Sequence, residues 1–259
     1  MARLSKIAKL VAAGSEDKVE NIFIQNLKAT IENTQSEYRP STFYKPSGVG
    51  GCIRSMYFQR VGNVLQQKSD SNLIAMGESG TFRHEVIQEY LVKMSERLAD
   101  EEFLWVNVEK YLEENPVEGT TVDANFKKND YETKCKNSNL QLSFLCDGLV
   151  MLKGKPTILE IKTETMFKYN KHTEPYEEHK MQATCYALCL GVDQVLFLYE
   201  NRDTFDKKAY LFEVTAEWKQ KVVDKISTCE WFVEQGAAPQ EYCSSNYCPY
   251  CKGPGKEMV

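Results

Sequence analysis

Residues 144–163 read Phe144-Leu145-Cys146-Asp147-Gly148-Leu149-Val150-Met151-Leu152-Lys153-Gly154-Lys155-Pro156-Thr157-Ile158-Leu159-Glu160-Ile161-Lys162-Thr163. Two apolar, β-prone runs flank Gly154 and Pro156, the pattern of two short strands joined by a tight turn. Side chains in a strand alternate faces, so Glu160 and Lys162 share one face while Leu159 and Ile161 face a core. A two-residue loop at Gly154 and Lys155 sets Lys153 against Pro156. Asp147, read as part of the first strand, then stands opposite Lys162 and diagonal to Glu160, on the same face. A four-residue loop keeps that register, whereas a three-residue loop turns Asp147 away.

Two carboxylates and a lysine at the end of a sheet form a donor set for a hard divalent cation. Their oxygens suit Mg²⁺ or Mn²⁺, and the ammonium can orient an attacking water or steady a phosphate. Upstream, Gly77-Glu78-Ser79-Gly80-Thr81-Phe82-Arg83-His84-Glu85 opens a helix running to about Leu98. Downstream, Met181-Gln182-Ala183-Thr184-Cys185-Tyr186 puts Gln182 and Tyr186 four apart on one helix face. Met181, Cys185, Leu188 and Cys189 around them read as core positions. Nine cysteines are present, and Cys243, Cys248 and Cys251 stand in Cys-x4-Cys-x2-Cys beside Pro249 and Gly253. That spacing lets thiolates converge from a short irregular loop, as metal and iron–sulfur sites require, and it implies a fourth ligand from elsewhere.

Asp147, a turn, then Glu160-x-Lys162 resembles the core of the PD-(D/E)xK nuclease superfamily, with Cys146 in place of the nominal Pro. Gly80 to His84 resembles the Gly-x-x-x-His motif of its RecB-like branch, which implies His84 as an additional metal ligand. Gln182 and Tyr186 resemble that branch's Gln-x-x-x-Tyr motif, which implies contact with DNA near the scissile phosphate. Ser47-Gly48-Val49-Gly50-Gly51-Cys52-Ile53-Arg54-Ser55-Met56-Tyr57-Phe58 resembles the Cys-x-Arg-x-x-Tyr segment of iron–sulfur RecB-like nucleases. There one N-terminal cysteine joins three C-terminal ones around a [4Fe-4S] cluster, which implies Cys52 with Cys243, Cys248 and Cys251. The resemblance runs from about Ser47 to Cys251, and the nearest named group is the four-cysteine CRISPR-associated exonucleases with their phage relatives.

By that resemblance the chain is expected to be a metal-dependent DNA exonuclease of phage or prokaryotic recombination or degradation. His84, Asp147 and Glu160 would bind the metal with the Ile161 carbonyl, and Lys162 would help activate water. Gln182 and Tyr186 would position the strand, and Arg54 and Tyr57 would contact it near the cluster. Two rivals are trimming of CRISPR fragments with an integrase, and a catalytically idle DNA-binding subunit. At the cysteines zinc is the chemical rival, since four thiolates suit it, and the spacing also fits a [2Fe-2S] centre. An odd cysteine count in a long chain without a secretory signal speaks against a disulfide framework. Cys135, Cys146, Cys185, Cys189 and Cys229 read as reduced, buried small hydrophobes.

Composition narrows the setting. The chain has 259 residues, 42% hydrophobic, and a formal charge of −5. A mildly acidic balance argues against tight coating of duplex, so DNA would be gripped through a local funnel: Arg54, Arg60, Arg83, Lys168, Lys171 and Lys180. No apolar run is long enough to span a membrane, and the expected place is the cytoplasm of a prokaryotic or phage-infected cell. DNA is the expected partner, with recombination or CRISPR integration proteins and a second copy of the chain as options. The expected fold is α/β: a mixed central sheet flanked by helices, a restriction-endonuclease-like core, stapled through the cysteines. One nuclease domain is expected, with a helical extension at 1–46, a core at 47–240 and a cysteine segment at 241–259. Helices are expected at Leu4–Ala13, Val19–Glu32, Cys52–Val61, Thr81–Leu98, His179–Leu190 and Glu217–Gln235. Strands beyond the hairpin are expected at Phe103–Tyr111, Gln194–Tyr199 and Ala209–Val214, and 112–139 reads as a long polar loop.

Overall fold

The computed structural model describes residues 18–35, 41–65, 69–98, 102–123, 126, 131–246 and 248–258. The helix expected at Leu4–Ala13 lies outside them. The chain parts into two compact units, Met1–Arg39 with Gln66–Thr81, and Pro40–Leu65 with Phe82–Val259. In the smaller unit, α1 (Val19–Asn33) forms where periodicity placed it. The Gln35 side chain then locks Ser69, donating to its carbonyl at 2.8 Å and accepting from its N–H at 3.0 Å.

The larger unit opens with α2 (Pro46–Val49) and α3 (Ile53–Arg60), the latter N-capped by Cys52. Helix α4 (Ser71–Arg97) starts earlier than the expected Thr81, because Asp70 Oδ1 accepts the N–H groups of Asn72 and Leu73 and caps it there. Its residues from Phe82 onward belong to the larger unit. Then come β1 (Phe103–Val106), α5 (Val108–Glu114), β2 (Thr120–Val122), β3 (Thr133–Asn137), β4 (Leu142–Cys146), β5 (Gly148–Leu152) and β6 (Lys155–Glu164). The chain ends through α6 (Met166–Lys171), α7 (Glu177–Leu190), β7 (Gln194–Asn201), β8 (Lys207–Glu213), α8 (Ala216–Gln235) and a 3₁₀ turn at Pro254–Glu257.

The main sheet runs β1-β5-β6-β7-β8, with β6 and β7 parallel and the other neighbours antiparallel. Leu159 and Ile161 of β6 are fully buried and pack with Ile87 of α4 on one face. The alternate residues of β6 look toward α7, which is buried nearly all round. Helices thus cover both faces of a mixed sheet, as the sequence implied.

Further expectations are corrected. Phe103–Tyr111 is strand only to Val106, since the Asn107 side chain accepts from the Lys110 N–H at 2.9 Å and starts α5. Residues 112–139 are not a long loop: β2 and β3 join β4 in a second, antiparallel sheet. In β3, Cys135 and Asn137 turn inward while Lys134 and Lys136 turn out, so a polar strand still has a buried side. The hairpin of β5 and β6 turns at Lys153-Gly154, pairing Leu152 with Lys155 and Met151 with Pro156. Both turn residues have positive φ, 50° and 75°, the backbone that fits the right-handed twist of paired strands. The register therefore slips by two residues, which preserves faces, as a slip of one would not.

Asp147 is not in a strand. It is the bend at which the chain leaves β4, in the small sheet, and enters β5, in the main one. Glycine is required just after it, because a Cβ at Gly148 would lie 2.6 Å from the Trp105 ring.

Candidate active site

Strand alternation puts Glu160 and Lys162 side by side toward α7. Lys162 Nζ lies 2.6 Å from Glu160 Oε1 and donates to Gln182 Oε1 at 3.0 Å. Gln182 Nε2 donates to the same Glu160 oxygen at 2.7 Å and to the Tyr186 hydroxyl at 2.8 Å. One helix turn separates Gln182 from Tyr186, so α7 presents both to the strand. Glu160 is 1% exposed. Its second oxygen, Oε2, is buried and has no hydrogen-bond partner among the described residues. Burial, helped by the nearby Asp147 charge, raises the Glu160 carboxyl above its ordinary range, against the pull of Lys162. Lys162 is itself held charged: burial opposes ionisation, but the Glu160 carboxylate outweighs it.

Asp147 reaches the same place from the bend. Its Oδ2 accepts from the Ile161 N–H at 2.8 Å, and its Oδ1 lies 3.5 Å from His84 Nδ1. Burial would raise the Asp147 carboxyl, yet the His84 ring and the Ile161 amide hold it below the usual range. His84 is pushed up for the reciprocal reason, Asp147 overcoming the cost of burial. Four residues along α4, Gln88 donates from Nε2 to the Asp147 main-chain carbonyl at 2.6 Å. The amide is fully buried and its Oε1 is without a partner among the described residues. A single helix face thus holds Asp147 by side chain and by backbone.

The sequence singled out His84, Asp147, Glu160, Ile161, Lys162, Gln182 and Tyr186, and the structure brings all seven together. Gln88 was missed, since a glutamine inside a helix carries no pattern of its own. Its spacing of four from His84 was the one available signal.

The four expected cysteines also converge. The sulfurs of Cys52, Cys243, Cys248 and Cys251 lie within 4.8 Å of one another, a group that could hold a metal ion. Cys52 and Cys251, far apart in sequence, are 3.4 Å apart at sulfur. Burial disfavours the Cys52 thiolate, but the amides of Ser55 and Arg54 at the start of α3 and the neighbouring thiols lower its pKa overall. Cys135, Cys146, Cys185, Cys189 and Cys229 are buried and unpaired by disulfides, as expected.

The expected DNA contacts are revised. Arg54 is 2% exposed and spends its guanidinium on the carbonyls of Tyr250, Pro239, Lys256 and Met258. Its ring neighbours are Phe58 and Tyr242. It is a clamp on the C-terminal segment and is not presented to a strand. Tyr57 is buried against Phe58. Gln182 and Tyr186 are both buried, Gln182 bonding the Glu160–Lys162 pair and the Tyr186 hydroxyl bonding Gln182. Of the basic funnel, Arg60 pairs with Glu230 and Arg83 with Glu200, both through two bonds, and Lys180 pairs with Glu174. Lys168 and Lys171 remain exposed on α6.

No family model matches the chain, and no curated protein matches it. Among solved structures, the fold is similar to that of SSO0001, with a TM-score of 0.45 and 13% identity over 91% of this chain and 95% of that one. It is also similar to the alkaline exonuclease LHK-Exo from Laribacter hongkongensis, with a TM-score of 0.42 and 14% identity over 76% and 92%. The same exonuclease in complex with dAMP gives a TM-score of 0.42 and 15% identity over 75% and 91%. All three are distant likenesses. Among the described residues, no helix is long and apolar enough to cross a membrane.

Proposed function

We propose that the chain is a divalent-metal-dependent DNA exonuclease, acting in phage or prokaryotic DNA recombination or degradation. The observation that carries this reading is the buried Glu160 Oε2, without a hydrogen-bond partner among the described residues, beside Asp147, His84 and Lys162. A buried carboxylate oxygen without a donor is costly, and a cation is the partner that offsets it. Glu160 Oε2, Asp147 Oδ1, His84 Nδ1 and the Ile161 carbonyl offer the oxygen and imidazole donors that Mg²⁺ or Mn²⁺ accepts. Such a metal supplies a polarised phosphoryl oxygen and a more acidic water.

The chain's own residues do the rest. The Ile161 amide fixes one Asp147 oxygen and leaves the other facing His84. Gln182 accepts from Lys162 and donates to Glu160, so the ammonium stays beside the carboxylate and steadies the attacking water. Tyr186 anchors Gln182 in turn. The four cysteines take a [4Fe-4S] cluster in this reading, with zinc as the alternative, and the metal acts as a staple because it sits with other ligands than those of the hydrolytic site.

The test is digestion of 5′- and 3′-labelled single- and double-stranded DNA with Mg²⁺ or Mn²⁺. Stepwise shortening from one end is expected. Asp147→Asn, Glu160→Gln and Lys162→Met should each lower the rate by orders of magnitude with unchanged melting. A parent protein that yields no product, or a Glu160→Gln variant cutting at the parent rate, rejects the reading.

A further inference from the structure

Phe167 and Phe205 are 69% and 55% exposed. Each ring lies under a cation: Lys171 Nζ is 3.7 Å from the Phe167 centroid, and the Arg83 guanidinium carbon is 5.0 Å from that of Phe205. The two phenylalanines belong to different segments that meet at the far end of β6. That strand runs from Glu160 through Lys162 to Glu164, about 13 Å at 3.3 Å per residue, and continues into α6, which carries Phe167. The parallel register sets Glu164 beside Asn201, where β7 ends and the turn bearing Phe205 begins. Two bonds tie that turn down: the Arg202 N–H to the Glu164 carbonyl at 2.7 Å, and the Met166 N–H to Asp203 Oδ2 at 2.9 Å.

Phe205 also has φ of 61°, which a bulky side chain rarely adopts. The turn enforces it through the Phe205 N–H bond to the Asn201 carbonyl at 2.8 Å and the Lys207 ammonium on the Phe205 carbonyl at 2.9 Å. Strain of this kind in a core would be offset by packing, but this ring faces water, so packing does not explain it. The turn bearing Phe205 carries both signs, Arg202 and Lys207 with Asp203 and Asp206, while the segment bearing Phe167 is positive. Helix α6, Met166-Phe167-Lys168-Tyr169-Asn170-Lys171, has two lysines and no carboxylate.

We propose that Phe167 and Phe205 form a stacking platform for an unpaired DNA strand, with Lys168 and Lys171 along its phosphates. The substrate of the Asp147–Glu160 site is then single-stranded DNA or a frayed end. The inference rests on the nuclease reading and adds its substrate class. Exposed aromatic rings with interleaved cations bind single strands because every unpaired base offers a free face, whereas bases inside a duplex have theirs covered by neighbours. A short positive patch next to the site also reconciles a chain of net charge −5 with a polyanionic substrate.

The test is fluorescence anisotropy of labelled oligo(dT) and of a blunt hairpin duplex on the full chain, with EDTA present so that nothing is cut. Phe167→Ala and Phe205→Gly, the latter keeping the turn's positive φ, should each weaken oligo(dT) binding about ten-fold. The double variant should lose more, Phe167→Trp should bind as the parent does, and thermal melting should stay at the parent value. Cutting is then scored separately with Mn²⁺. If the parent cuts DNA while the double variant binds oligo(dT) unchanged, the platform is rejected and the nuclease reading stands. Equal losses on oligo(dT) and duplex, or a parent that binds no single strand, also overturn it. If the parent binds through both rings yet cuts no DNA, the nuclease reading falls instead.

Discussion

Glu160 and Asp147 are held by two side-chain amides from opposite sides of the sheet, Gln182 on α7 and Gln88 on α4, and the amides do different work. Gln182 bonds the side chains that would act on substrate, while Gln88 bonds only the main-chain carbonyl of Asp147. Removing Gln88 should therefore disturb the position of one metal ligand without touching the lysine. Gln88→Leu is expected to raise the Mn²⁺ concentration for half-maximal cutting by about ten-fold or more, the usual scale for a residue that orients a metal ligand. Saturating Mn²⁺ should restore most of the rate. A metal titration of cleavage checks this, and an unchanged half-saturation point would return Gln88 to packing. The residues that the structure brings together around Glu160 were legible in the sequence where they belong to a period: Glu160 and Lys162 two apart on a strand, Gln182 and Tyr186 four apart on a helix. Arg54 was misread because its partners, Pro239, Tyr250, Lys256 and Met258, are 185 to 204 residues away, and nothing local distinguishes a buried clamp from a surface cation.

The hairpin shows how an element can be foreseen in its faces and missed in its register. Alternation fixes which side chains share a face, and a slip of two residues leaves that intact. The turn residues decide the slip, and here Lys153 occupies a positive-φ position that glycine, asparagine or aspartate would ordinarily fill. Lys153→Asn should therefore stabilise the protein by roughly 0.5–1 kcal/mol, visible as a rise of about 1–3 °C in melting temperature with no change in cutting. Gly154→Val should act in the opposite sense, since its φ of 75° is strained for a β-branched side chain. If both variants melted at the parent temperature, the turn would not set the register. The bend at Asp147 was beyond the sequence, because a change of sheet is a tertiary event and Cys-Asp-Gly reads equally well as continuous strand. Strands β2 and β3 were missed for a related reason: their outward lysines and threonines look like loop until a partner strand is there to bury Cys135 and Asn137.

Across the larger unit, the cysteine group ties α3, at its start, to the last residues of the chain, and Arg54 ties the same two segments by hydrogen bonds alone. The Cys52–Cys251 contact closes a loop of 199 residues, and closing such a loop removes several kcal/mol of entropy from the unfolded chain. A metal held by thiolates from both ends acts only when the chain is folded, so its binding free energy adds to folding. Because Cys52 and Cys248 each supply one of four sulfurs, Cys52→Ser and Cys248→Ser are expected to lose metal to the same extent and to melt lower by similar amounts. Protein purified without oxygen should be brown if the group is iron–sulfur, with iron and sulfide in comparable quantity; colourless protein with one zinc would keep the staple and change the metal. In either variant the Mn²⁺ half-saturation of cutting should stay near the parent value, because His84, Asp147 and Glu160 lie on α4, the β4–β5 bend and β6 rather than on the two short segments that carry the cysteines. Full metal content in Cys52→Ser would remove Cys52 from the group. A shift in Mn²⁺ requirement that tracked loss of the cysteine-bound metal would show the two centres to be coupled through α2 and α7, whose close approach leaves no room for a side chain at Gly50, the C-cap of α2, where a Cβ would lie 2.7 Å from the Glu178 carbonyl.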